Sequence, residues 1–383
     1  MQFSRRTAWE LQENEFARAV RLARASGQPL LDLTSSNPTA CGFEYDPVST
    51  LAPLSDPRAL QYEPDAFGML PARETVAAYY AAHGADIAPE HICLTTSTSE
   101  AYSYLFRLLC DAGDEVLIAR PSYPLFDYIG GLDHVRLVEY PLSYSEGWHI
   151  DLPALEARIT DRTRALILVH PNNPTGNYVG DEERGKLDAL CARHGIALIV
   201  DEVFLDYPWP GVHPRSFTAV QSETLTFVLS GLSKVCGLPQ MKISWLVTRG
   251  PDDLLRTAME RLEIIADTFL SVNAPMQFAL RSWLDGRDSV QSQITARCSQ
   301  NLATLDSALR GTEISRLHGE GGWTAVLRVP RGSFVEDALS QGVIVQPGEF
   351  YGLTPGRVVL SLLTPEEIWR AGVERLCVMT PTT

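Results

Sequence analysis

The chain has no Cys-x-x-Cys pair, and its seven cysteines, at positions 41, 93, 110, 191, 236, 298 and 377, are scattered and odd in number. That pattern excludes a disulfide framework and a zinc finger or ribbon, and it points to free thiols in a reducing compartment. No stretch approaches the roughly 18 consecutive apolar residues of a membrane span. Met1-Gln2-Phe3-Ser4-Arg5-Arg6 runs on to Asp32 without the apolar core of a signal peptide, so a cytoplasmic location is the expectation. Cations are scarce: 32 Lys and Arg stand against 47 Asp and Glu, a net charge of -15. That balance speaks against a nucleic acid or an anionic membrane as partner. The eight histidines show no ligand spacing, so no metal site is expected. Internal repeats and low-complexity tracts are also missing. What remains, 383 residues with 45% hydrophobic and 21% charged side chains, is an ordinary globule with enough chain for two domains.

Periodicity sketches the architecture. Trp9, Phe16, Val20 and Leu22 among charges predict an amphipathic helix over 5–25, ended by Gly27 and Pro29. Residues 31–70, rich in Pro, Asp and Ser, predict loops. Strands are expected at 92–94, 115–118, 135–138, 165–169, 197–200, 225–229 and 243–247, most of them separated by helical stretches. This alternation predicts an α/β fold with a mostly parallel sheet sandwiched by helices. Helices over 252–266, 275–283 and 290–309, strands at 324–329, 343–345 and 358–362, and a last helix over 365–377 predict a smaller α+β domain. The expected division is a large domain over 46–266 and a small one combining 1–45 with 267–383.

The chemistry concentrates at strand ends. Ser233-Lys234, followed by Pro239 and a second cation, Lys242, lies downstream of Asn173-Pro174-Thr175-Gly176 and Asp201-Glu202-Val203. These supply an amine, a donor for a phenolic oxygen and a carboxylate. An aldehyde cofactor is tethered by an amine as a Schiff base, which suits Lys234. Its ring nitrogen stays protonated beside a buried carboxylate, which suits Asp201 at the end of Ile196-Ala197-Leu198-Ile199-Val200. In open parallel sheets ligands gather at the carboxyl ends of strands. Taken alone, a lysine is usually a surface group and Asn-Pro-Thr-Gly usually a turn; the fixed order of the three, each at a strand end, favours the site. Thr95 to Ala101 adds hydroxyls and a helix start near Ser99, suited to phosphate, although such turns are often simple caps.

In that order, with Ser36-Asn37-Pro38, Tyr62 through Gly68 to Arg73, Pro121-Ser122-Tyr123-Pro124 and Pro347-Gly348, the chain from about Leu31 to Leu376 resembles the class I/II aminotransferases among the fold type I pyridoxal phosphate enzymes. The resemblance implies pyridoxal 5'-phosphate as cofactor and an amino acid and a 2-oxo acid as substrates of a ping-pong transamination. It assigns Lys234 as tether and proton carrier, Asp201 to the ring nitrogen, Tyr123 to the ring face and Asn173 to the phenolic oxygen. Ser97, Thr98, Ser99, Ser233 and Lys242 fall to the phosphate. Tyr62 matches a tyrosine that reaches the phosphate of a neighbouring subunit, which implies a homodimer. Ser36 and Asn37 border the substrate carboxylate.

Departures from the pattern keep other outcomes open. Ser97 stands where a glycine is usual, Lys242 where an arginine is usual, and Gly231 where a serine is usual. Phe204 replaces a tyrosine that donates to the phenolic oxygen, which predicts a raised pKa for the Schiff base. Val359 holds the place of the carboxylate-binding arginine; Arg357, two residues earlier on the same strand face, either substitutes for it or is a solvated edge residue. Glu349 either meets a substrate cation or lies on the surface. A lyase, cyclase, decarboxylase or oxidase using the same cofactor is the alternative enzyme, and a cofactor-binding regulator the alternative outside enzymes.

Overall fold

An unbroken run such as Ala197-Leu198-Ile199-Val200 has no polar face to offer water, and the structure buries every residue of it. The computed structural model describes residues 1–380. Its strands are β1 (Leu31–Asp32), β2 (Ile92–Thr95), β3 (Glu115–Arg120), β4 (Arg136–Tyr144), β5 (Trp148–Ile150), β6 (Thr163–Val169), β7 (Ala197–Asp201), β8 (Thr226–Gly231), β9 (Ser244–Arg249), β10 (Ser315–Arg316), β11 (Thr324–Arg328), β12 (Val343–Ile344), β13 (Gln346–Pro347) and β14 (Arg357–Ser361).

Eight of them form one sheet in the order β2-β9-β8-β7-β6-β3-β4-β5. From β4 to β8 the pairings are parallel, and β9 and β5 run antiparallel to their neighbours. Alternate residues feed two cores: Leu198 and Val200 pack on one face with Trp245 and Leu187, Ala197 and Ile199 on the other with Phe227 and Leu262. Fully burying each such side chain contributes about 1.5–3 kcal/mol, so the sheet is a rigid platform. The chain leaves β3 outward to β4, then returns to β6 and proceeds the other way. The crevice at the carboxyl ends of β3 and β6 is therefore a topological switch point.

A four-stranded antiparallel sheet, β10-β11-β14-β13, has its own core, in which Leu327, Leu360, Val358 and Trp369 join the helices Asp288–Ala308 and Glu366–Val378. Strand β1 pairs with β12 in a parallel two-stranded sheet, tying the N-terminal segment to this unit.

Three local expectations change. The first helix spans only Glu15–Ala25, because Asn14 caps it by accepting from the Ala17 amide and so fixes its start; a separate 3-10 turn covers Arg5–Thr7. Within 31–70, Asp46 caps the helix Pro47–Leu51 through the amides of Val48 and Ser49. The hairpin strand β5 carries too short an alternation to stand out in sequence.

Candidate active site

A cavity of about 340 Å³ opens at the carboxyl ends of the parallel strands, under the four-stranded sheet. Its lining includes Ser36, Ser97, Thr98, Ser99, Tyr123, Asn173, Asp201, Ser233, Lys234 and Lys242. Ten of the thirteen candidate residues are thus brought together, from segments spread over two hundred positions of sequence.

Lys234 sits in the single helical turn Leu232–Val235 that follows β8. The turn is pinned from outside: the Tyr207 hydroxyl donates to the Lys234 carbonyl at 2.6 Å, Gln291 Nε2 to the Val235 carbonyl at 2.8 Å, and the Tyr45 hydroxyl to the Gly237 carbonyl at 2.7 Å. The side chain projects between two rings, with Nζ 5.6 Å from the centroid of Phe204 and 5.5 Å from that of Trp323. Among the described residues it has no ion-pair partner. Burial lowers its pKa, against the attraction of Asp201, so the neutral amine is reached more easily than in water.

Asp201 ends β7 and is 7% exposed. Its carboxylate accepts from the Tyr102 hydroxyl at 3.1 Å and from the Val203 amide at 3.1 Å. Desolvation dominates even so, and pushes its pKa up to about 6. The next residue, Glu202, points away: it accepts from Ser216 Oγ at 2.6 Å and the Phe217 amide at 2.7 Å, and burial pushes it up to about 7. It organises the loop behind the site.

At another end of the cavity, Ser97 caps the helix Thr98–Leu109, its hydroxyl accepting from the Glu100 amide at 3.2 Å. Glu100 in turn receives the Thr96 amide at 2.7 Å and the Ser271 hydroxyl at 2.7 Å, which holds the turn. The helix N-terminus and three hydroxyl-bearing residues form an anion cradle. Lys242 lines the same cavity from a left-handed backbone conformation, φ 50°, which costs a non-glycine residue about 1–2 kcal/mol. Gly231 has a plain reason to lack a side chain: it pairs with Ser244 across β8 and β9, and an added Cβ would collide with Ser244 Oγ. Ser244 lines the cavity, so its hydroxyl occupies the place that a residue 231 side chain would take. Sequence reasoning missed Ser244, because only the register across two strands brings it there.

Tyr123 follows β3 and stays 43% exposed over the cavity. Asn173 follows β6 and carries a buried side-chain oxygen with no partner. Its turn is locked to the small sheet where Gly176, φ 74°, lets the Gly321 carbonyl come within 2.6 Å of where a Cβ would stand. The Gly176 carbonyl accepts from the amides of Glu320 and Gly321 at 3.0 and 2.9 Å. That joint also places Trp323.

Three candidates lie elsewhere. Arg357 lines a different cavity, of about 310 Å³, with Glu349 and Phe16, and donates to the Gly356 carbonyl; β14 is in regular register with β11, so no shift carries the guanidinium inward. Asn37 is spent locally, its oxygen accepting from the Thr39 amide and hydroxyl. Tyr62 is 81% exposed and lines a separate cavity, so within one chain it does not meet the others. The side of the cavity expected to hold an arginine is instead Val359, with Gln346, Tyr351, Thr324 and Ser361.

A larger groove, about 790 Å³, runs past Trp148, His149, Glu183 and His318 and shares no residue with this cavity. Several of its charges are already paired, Lys186 with Glu182 and Arg215 with Asp181, and it lacks the amine and the buried acid.

Comparison with known proteins agrees with the geometry. The profile of the aminotransferase class I and II family matches residues 50–376. The chain is 28% identical over 270 residues to glutamate-pyruvate aminotransferase AlaA of Escherichia coli K12, covering 70% of this chain and 67% of that one. It is 29% identical over 283 residues to an alanine aminotransferase of Mycobacterium tuberculosis, covering 72% of this chain and 65% of that one. In fold it is similar to the alanine aminotransferase of Pyrococcus furiosus, with a TM-score of 0.88, 23% identity and 99% of each chain covered.

Proposed function

The chain belongs to the aminotransferase class I and II family, and from that premise we propose a pyridoxal phosphate-dependent transamination centred on Lys234. An amino group moves from an amino acid to a 2-oxo acid in two half-reactions, the ping-pong order expected when one site handles both partners. The observation that carries the reading is a half-buried lysine, without an ion-pair partner among the described residues, sharing one cavity with a buried acid.

The residues fit the cofactor. Lys234 is the amine that would hold its aldehyde carbon; Asp201, shielded from water, would keep a proton on its ring nitrogen; Asn173, which lines the cavity and makes no side-chain hydrogen bond among the described residues, would donate from its amide nitrogen to the phenolic oxygen. Ser97, Thr98, Ser99, Ser233 and Lys242 would hold the phosphate, and we add Ser244 to that set. Tyr123 would cover the ring face. When bound, pyridoxal phosphate supplies a carbonyl that takes up the amino group and a ring that accepts the electrons left at the substrate's Cα. Freed by the substrate amine, Lys234 would take the proton from the substrate's Cα and deliver it to the cofactor's former aldehyde carbon, two bonds away. Its lowered pKa supports the base role, and Phe204 and Trp323 keep water from its flank.

Names of relatives point to small amino donors such as alanine and glutamate, with pyruvate as an acceptor. We place the active unit in a homodimer with Tyr62 serving the partner's phosphate: Tyr62 is exposed, as are Leu51, Leu60 and Leu70 in the same stretch of sequence. All seven cysteines are free, which suits a cytoplasmic enzyme, and among the described residues no helix is long and apolar enough to cross a membrane. The division into a large domain, 46–266, and a small one from both ends of the chain is kept as part of this reading.

The test is a set of half-reactions. Cofactor-loaded protein is mixed with single amino donors while the cofactor's absorbance is followed. Conversion to the amino form without turnover, reversed by a 2-oxo acid, is the expected result. Steady release of ammonia, carbon dioxide or peroxide would instead establish a lyase, decarboxylase or oxidase.

A further inference from the structure

Among the described residues, the charged groups lining the cavity are Asp201, Lys234 and Lys242. Asp201 and Lys234 belong to the reacting centre, and Lys242 stands two residues from Ser244 in the anion cradle. The residues that β13 and β14 present to this cavity, Gln346, Val359, Leu360 and Ser361, carry no charge. Gln346 pairs with Val359 across that sheet, and Tyr351 packs against Val359 in one apolar cluster. The Ser361 amide donates to the Leu33 carbonyl at 2.8 Å, which draws the segment carrying Ser36 along the same strand.

Three uncharged polar side chains, those of Ser36, Gln346 and Tyr351, therefore converge around Val359. All three line the cavity, and among the described residues none makes a side-chain hydrogen bond. Burial pushes the Tyr351 phenol up to about 12, so it stays a neutral donor over the working range. Arginines next to the wall are engaged elsewhere: Arg120, whose side chain lies beside Gly352, pairs with Asp127 at 3.0 Å and Glu139 at 2.8 Å, and Arg357 faces its separate cavity beside Arg328. A free carboxylate placed here gains no charge-assisted pair to offset its desolvation, whereas a neutral carbonyl is satisfied by neutral donors.

Resting on the transaminase reading, we propose that Ser36, Gln346 and Tyr351 around Val359 form a neutral subsite for the group on the reacting carbon. The enzyme then accepts amino compounds whose carbonyl there is uncharged, the amides and esters of amino acids, nearly as well as the free acids.

The test uses cofactor-loaded protein with 2-methylalanine and 2-methylalaninamide, which have no Cα proton and so bind without reacting. Dissociation constants are read from the cofactor's absorbance. The two probes are expected to bind within about tenfold of each other, and Val359→Arg to shift the ratio toward the acid by more than about tenfold. Should that variant fail to fold, Gln346→Leu replaces it and is expected to weaken both probes by a similar factor. A wild-type preference for the acid of about a hundredfold or more, an unmoved ratio in folded Val359→Arg, or a Gln346→Leu effect confined to the acid would overturn the subsite while leaving transamination standing. No spectral response to either probe, with an ordinary amino donor still converting the cofactor, would overturn the subsite alone; no response to the probes or to any amino donor would remove the transaminase reading and the subsite with it.

Discussion

The reacting end of the cavity and its β13–β14 wall are built on opposite principles. Lys234 and Asp201 stand at strand ends, each held by several hydrogen bonds to its backbone or carboxylate, and their charges are shifted by burial. Val359, Gln346 and Tyr351 come together through the register of a small sheet and have no charge to tune. Proton transfer and an ionised ring nitrogen demand particular functional groups at particular places. Positioning the rest of a substrate demands only a surface that satisfies its hydrogen bonds, and many residue types can supply one.

The contrast can be broken most severely at Lys234. Lys234→Ala is expected to lower kcat by a thousandfold or more, because tether and proton carrier go together; single-turnover assays would measure it. Retention of a tenth of the activity would shift the chemistry to another side chain.

Asp201→Asn tests whether burial of the acid serves function at the expense of stability. The folded carboxyl has its pKa raised to about 6 from the usual 3.8. Its contribution is thus fully present below pH 3.8 and lost as pH rises through 6. Above pH 6 the cofactor-free variant is expected to be more stable than the parent by as much as roughly 3 kcal/mol, 1.36 kcal/mol for each unit between the two values. Half-reaction rates are expected to fall about a hundredfold. Urea melts at pH 4 and pH 7.5 check the sign: equal differences at both would mean that the carboxyl's ionisation does not set its effect.

At the anion cradle, Ser244→Ala is expected to weaken cofactor binding by about three- to tenfold, the loss of one hydrogen bond to a charged group. Lys242→Ala should cost more, with an effect that shrinks in high salt. Equilibrium dialysis against pyridoxal phosphate would show both. The smallest expected effect is that of Phe204→Tyr, which returns a hydroxyl near Lys234 and should lower the pH at which the bound cofactor's absorbance titrates by about one unit.

Much of this was legible in the sequence, for physical reasons. The seven strands of the main sheet expected from apolar runs all formed; six are buried along nearly their whole length, where strands covered on both faces favour unbroken Val, Ile and Leu, and β4, toward the sheet's edge, is only partly buried. Lys234, Asp201 and Asn173 were legible because each follows such a run. Residues whose place depends on pairing between distant strands were not: Ser244 faces the cavity through its register with Gly231, and Trp323 through the joint at Gly176. Arg357 failed for the same reason in reverse, since period-2 reasoning places it on a strand face but cannot say where along the strand the cavity ends. The late start of the helix expected over 5–25 turned on one cap, Asn14, within a charged stretch that periodicity alone does not divide.

The most direct measurement is borohydride reduction of the cofactor-loaded protein followed by peptide mass mapping. A single pyridoxyl adduct on the peptide containing Lys234, absent in Lys234→Ala, is the predicted result. An adduct on any other lysine, or none on folded protein saturated with pyridoxal phosphate, would contradict the account.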